Sequence, residues 1–154
     1  EIVGYGTTCD AHHITAPSPG GIGGAEAIKL AIEDACLSLE KIDYINAHGT
    51  STPIGDITEL KAIKEVFGDN IPPISSTKSL TGHSLGAAGV HEVIYSLLMM
   101  KNNFICGSHN IEEIDPDAEK YPILRSNEER GINCFLSNSF GFGGTNGSII
   151  IKKI

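Results

Sequence analysis

Two histidines and a lysine stand in loops that are unusually polar for their positions. His48 lies in Asn46-Ala47-His48-Gly49-Thr50-Ser51-Thr52-Pro53-Ile54-Gly55-Asp56, directly after a short apolar run at 42–47. Lys78 and His83 lie in Ser75-Ser76-Thr77-Lys78-Ser79-Leu80-Thr81-Gly82-His83-Ser84-Leu85-Gly86, after a second run at 71–75. A third polar stretch, Ser137-Asn138-Ser139, leads into the turn Phe140-Gly141-Phe142-Gly143-Gly144-Thr145-Asn146. Imidazoles can donate or accept at neutral pH, a lysine sets the local field, and a glycine-rich turn exposes backbone N–H groups. Together they supply polar side chains and flexible backbone N–H groups at one predicted edge of a sheet. A lone loop histidine usually does no more than hydrogen-bond its neighbours. Two at equivalent strand ends, with a lysine and a glycine turn, point to a site.

Other chemistries fit less well. Gly82-His83-Ser84-Leu85-Gly86 matches the G-x-S-x-G pattern of a hydrolase nucleophile elbow. An elbow serine needs an apolar strand ending almost at the first glycine, yet Thr77-Lys78-Ser79-Leu80-Thr81 precedes it. No histidine follows Asp115 or Asp117, and the remaining acid and base, Glu92 and His109, fit poorly because Glu92 lies inside the helix that follows. Gly4-Tyr5-Gly6 continues to Cys9 rather than to a glycine, and nothing before Lys78 has phosphate-loop spacing. Cys9, Cys36, Cys106 and Cys134 lie far apart, with no CxxC and no spacing suited to zinc, so no metal site is expected. They read as small buried thiols in a reducing compartment, and none sits on a small-residue turn that would expose a nucleophile.

The elements that must carry these loops alternate. Residues 1–8 read as a strand, and 25–39 as a helix with Ile28, Ala31, Ile32, Ala35, Cys36 and Leu39 on its buried face. A strand at 42–47 precedes a helix opened by Asp56, with Glu59 three residues on as a capping pair. A strand at 71–75 and an apolar helix at 86–101 follow. Two strands, 132–136 and 148–152, close the chain on either side of the glycine turn. The order βαβαβαββ predicts an α/β fold: a mainly parallel five-stranded sheet covered by helices, with one antiparallel return strand. Loops at the carboxyl ends of such strands gather chemistry.

Composition is that of one ordinary domain. The 154 residues are 40% hydrophobic and 19% charged, with a net charge of −8. An acidic balance argues against nucleic acid or an anionic membrane as the main partner. No apolar run approaches the ~18 residues of a spanning helix. The start, Glu1-Ile2-Val3-Gly4-Tyr5-Gly6, has no basic region or cleavage site and reads like the middle of a strand, so the chain is expected to be a piece of something longer.

The three loop motifs resemble, in order and spacing, those of the β-ketoacyl-acyl carrier protein synthases, types I and II, of the thiolase superfamily. The likeness runs over residues 1–154 and covers only the carboxy-terminal half of such an enzyme. It implies the thiolase-like fold of two similar halves, a nucleophilic Cys in the absent amino-terminal half, and a decarboxylative Claisen condensation in fatty acid elongation. By that resemblance His48, His83 and Lys78 are catalytic, Glu59 matches the acidic residue of the site, and Phe142 is the gate. The Phe142 backbone N–H matches an oxyanion donor. Thr50 and Thr52 bind the pantetheine arm, beside Phe140 and Gly141. No cofactor is implied, because substrates ride on the phosphopantetheine of acyl carrier protein. A cytoplasmic homodimer is expected. A non-catalytic, chain-length-factor-like partner is the alternative, and the presence of both histidines weighs against it. The helix expected near Gly86 should favour neutral His83 through its positive end.

Overall fold

The two strands that flank the glycine turn pair directly with each other. This computed structural model describes residues 1–154. Its strands are β1 (Ile2–Cys9), β2 (Tyr44–Asn46), β3 (Ile74–Ser75), β4 (Phe104–Ile105), β5 (Glu128–Glu129), β6 (Cys134–Phe140) and β7 (Thr145–Lys152). Its helices are α1 (Ile22–Ala35), α2 (Gly55–Phe67), α3 (Lys78–Thr81) and α4 (Ala88–Asn102). Five strands form one sheet in the order β1-β7-β6-β2-β3, while β4 and β5 pair separately. Strand β7 runs against the other four, as the one antiparallel return strand. Because it lies inside the sheet, between β1 and β6, both of its ladders are antiparallel, and those of β2 with β6 and β3 are parallel.

Alternation along the strands divides the core into two layers. Ile45, Leu136 and Ile150 face α1 and α2, meeting Ile28, Ala31, Leu60, Ile63 and Phe67. Their neighbours Tyr44, Phe135 and Ile151 face the other way, meeting Met99 and Met100 of α4. Helix α1 lies so close to β1 that a Cβ on Gly6 would sit 2.1 Å from the Ala27 carbonyl oxygen. The glycine is therefore a packing requirement.

Several boundaries differ from the sequence reading. Helix α1 runs from Ile22 to Ala35, because Cys36 adopts a left-handed conformation (φ 50°) and turns its N–H back to the Ile32 and Glu33 carbonyls. The strand expected at 71–75 shrinks to Ile74–Ser75, since Pro72 and Pro73 have no N–H to give a ladder. The stretch after α4 is less irregular than its composition suggests: Ile123 bridges Ile74 in parallel and extends the sheet edge. No helix is long and apolar enough to cross a membrane.

Candidate active site

Strands β6, β2 and β3 are adjacent and point the same way, so their carboxyl ends open on one edge. His48 follows β2, Lys78 begins α3 just after β3, and Phe140 ends β6. The rings of His48 and His83 meet edge to face, centres 5.4 Å apart and planes at 86°. Phe140 flanks His48 with its ring centre 6.2 Å away. Lys78 is buried behind them and ion-paired with Glu92 of α4, whose side chain is equally enclosed.

This environment decides the charge on His48. Burial, then the Lys78 ammonium, then His83 push its pKa down to about 3. The ring is therefore neutral at pH 7, and can donate to an anion without surrendering a proton to nearby carbon. His83 is fixed differently. The Leu85 N–H donates to its Nδ1 at 3.3 Å, which leaves the proton on Nε2 and makes that nitrogen the donor. The helix expected to begin near Gly86 begins at Ala88, after a 3₁₀ turn at Leu85–Ala87. One loop amide, rather than a helix end, stands against His83.

Glu59 corrects the capping reading. Helix α2 starts at Gly55, with Ile54 at the cap position and no side-chain cap. Asp56 instead accepts from the Ser51 N–H at 3.0 Å and the Thr52 N–H at 3.4 Å, shaping the loop before it. Glu59 is 5% exposed and turned toward the histidine loop. Its carboxylate accepts from the His48 N–H at 2.8 Å, the Gly49 N–H at 2.9 Å and Asn138 Nδ2 at 3.1 Å. Burial raises its pKa, and these three donors oppose the rise. Glu59 thus acts on His48 through the backbone and is a positioning residue by its contacts.

The remaining expected residues form the rim. Thr50 and Thr52 place their hydroxyls 3.3 Å apart. Phe142 is 80% exposed at the tip of the β6–β7 turn, next to exposed Gly141, whereas Phe140 packs against the core. The turn is held from the other side by the 10–18 loop: Gly143 N–H donates to the Ile14 carbonyl and Asp10 N–H to that of Gly144, both at 2.8 Å. Gly144 needs its glycine twice over, having φ +80° and a would-be Cβ 2.8 Å from that of Asp10.

Sequence reasoning missed three contributors. Glu92 looked like any residue of an apolar helix, and its partner Lys78 lies 14 residues away on another element. Asn138 is wholly buried between Glu59 and the Ser148 hydroxyl, which donates to its Oδ1 at 2.8 Å. Asn46 is also wholly buried, and its Nδ2 donates to Ser96 Oγ at 3.1 Å. Both asparagines read as members of the polar loops, whereas the structure places Asn46 in β2 and Asn138 in β6, buried, so that each had to find a partner inside the fold. Behind the rings, Asn46 Oδ1, Thr77 Oγ1, Glu92 Oε2, Ser137 Oγ and His48 Nδ1 are buried without partners in the chain.

Residues 1–112 match the family described as beta-ketoacyl synthase, C-terminal domain. The chain is 56% identical, over 154 residues, to 3-oxoacyl-[acyl-carrier-protein] synthase 1 of Haemophilus influenzae, covering 99% of this chain and 37% of that protein. It is 52% identical to the Escherichia coli K12 protein of the same name, covering 100% and 37%. Among solved structures it superimposes on a ketosynthase of a type II polyketide synthase, bound to its acyl-carrier protein, with a TM-score of 0.94. That match has 34% identity and covers 99% of this chain and 38% of that one. The chain thus spans little more than a third of the length of these relatives. It has their thiolase-like fold, and it belongs to the β-ketoacyl synthase family, in the region of the carboxy-terminal domain.

Proposed function

We propose that the chain supplies the imidazole pair of a β-ketoacyl-acyl carrier protein synthase, whose remaining half carries the nucleophilic cysteine. The whole enzyme, in this reading, receives an acyl group on that cysteine and condenses it with a malonyl unit. The bond from the malonyl α-carbon to its carboxylate breaks, CO2 leaves, and the electron pair passes to the α-carbon and the thioester oxygen. His48 and His83 donate hydrogen bonds to that oxygen. The α-carbon then attacks the acyl carbonyl and the cysteine thiolate departs. A donor aimed at the developing charge contributes about 3 kcal/mol where the complete site excludes water.

Neutral rings suit this role, since an imidazolium would protonate the carbanion before it could attack. Lys78 supports His48 by field rather than by transfer, because its ammonium is already engaged by Glu92. Thr50 and Thr52, on the open rim, hold the polar pantetheine arm of an acyl carrier protein, and Phe142 swings at the entrance. The working enzyme is a homodimer in the cytoplasm. Retention of both rings disfavours a non-catalytic partner.

The observation that carries the reading is the 5.4 Å pairing of two imidazoles from separate strand ends, one of them desolvated and neutral. In the full-length enzyme, His48→Ala and His83→Ala should each lower CO2 release from malonyl carrier protein by at least a hundredfold. Undiminished release in either variant would overturn the reading. The chain by itself should form no acyl-enzyme: burial pushes the Cys134 thiol up to about 11 and raises Cys106, while Cys9 and Cys36, expected to be buried, are exposed but have no base hydrogen-bonded to the sulfur.

A further inference from the structure

The serine of Gly82-His83-Ser84-Leu85-Gly86 does contact a histidine, although not one its motif foretells. Ser84 Oγ lies 2.9 Å from Nδ1 of His91, in the first turn of α4, directly after the segment that carries His83. This segment has little else to hold it. Residues 81–87 are all exposed, and a Cβ on Gly82 or Gly86 would meet nothing within 4 Å. Gly82 and Leu85 have φ of +71° and +54°. The Gly82 N–H reaches back to the Lys78 carbonyl at 2.9 Å, and the Ala87 N–H bonds only to Ser84 within the same turn. Ser84–His91 is thus the side-chain bond between the His83 segment and the body of α4. His91 is itself steadied by Tyr95, one turn on, with ring centres 6.2 Å apart.

We infer that His91, through Ser84, is a positioning residue that fixes the His83 ring against the reacting oxygen. A nucleophilic serine is the competing use of such a pair. It would need an acid on the far nitrogen of His91 and a strand leading directly to Ser84; the hydrogen bonds of His91 include no carboxylate, and helix α3, not a strand, leads to the serine. His83 is held by the backbone on either side of Ser84: its own Nδ1 takes the Leu85 N–H, so any slack in residue 84 passes directly into ring orientation. A misplacement of the order of 1 Å at a catalytic group costs up to a hundredfold in rate.

The inference rests on the functional reading above, and the experiment separates them. In the full-length enzyme, wild type must release CO2 from malonyl carrier protein; if it does not, the functional reading fails. Given an active wild type, Ser84→Ala and His91→Ala should each lower kcat about tenfold while KM for malonyl carrier protein stays within twofold. The double variant should fall no further, because both remove one bond. His91→Gln, which can still bond Ser84, should restore most of kcat. Should His91→Ala fail to fold, Ser84→Ala removes a single oxygen and carries the test, together with ring ¹⁵N shifts showing that His83 loses its single tautomer. Unchanged kcat in the single variants, or losses that multiply in the double variant, would overturn the inference. Covalent labelling of Ser84 by a fluorophosphonate would also overturn it.

Discussion

At the scale of single residues, His48 imposes a sign on the pH dependence of stability. An unfolded histidine binds its proton below about pH 6.5, whereas folded His48 does so only near 3. Between those values the unfolded chain holds more protons, so His48 lowers stability as pH falls through the window and contributes no change above it. Glu59 and Glu92, whose pKa values are raised by burial, bind protons first in the folded state and oppose the loss. Urea unfolding at pH 7 and pH 5 should show a smaller acid loss in His48→Asn than in wild type, by about 2 kcal/mol at most. Glu59 gives a second test. Gln in its place keeps one carbonyl oxygen and presents an NH2 to a backbone N–H, so Glu59→Gln should cost about 1–3 kcal/mol and slow catalysis through His48. Thermal unfolding beside the decarboxylation assay measures both. Its spacing from Asp56 is that of a helix cap, and so local sequence alone pointed to the wrong contact.

The elements show where sequence reading succeeds. β1, β7, α1 and α2 were legible because each has a clear period of buried side chains, β6 because it is an unbroken buried run, and α4 because it is apolar, although that apolar side proves to be exposed. The glycine-rich turn and both histidine loops were legible from composition. What stayed hidden was the pairing of elements through single polar contacts. Four-residue α3 has too few positions to show a period, and only the Lys78–Glu92 ion pair reveals that it is anchored to α4. That anchor makes a prediction at this scale. Lys78→Ala leaves the Glu92 carboxylate buried without its cation and should destabilise by about 3–5 kcal/mol, while Lys78→Met with Glu92→Met should cost much less. Equal losses in chemical denaturation of the two variants would show that the pair contributes nothing through burial.

The whole molecule carries an apolar face that its own elements do not cover. Leu85, Val90, Ile94, Leu97 and Leu98 are 77, 65, 46, 42 and 50% exposed, along one side of α4 and the turn before it. Isolated copies should therefore associate with rising concentration, despite a net charge of −8 that pushes them apart. Sedimentation velocity should show that association, and Val90→Lys with Leu97→Lys should suppress it.

The place of β7 bears on how the chain reaches this state. Residue 2 pairs with residue 151, and residue 9 with residue 145, so β1 leaves a ribosome long before the strand it pairs with. Until then β1 can lean on α1 but must leave a row of amide and carbonyl groups unmatched, open to another nascent strand. Sheet closure between residues so far apart in sequence places this domain among slow, topology-limited folders. It also gives a truncation just before residue 145 an outsized effect: two ladders vanish with a single strand, and the sheet loses its middle.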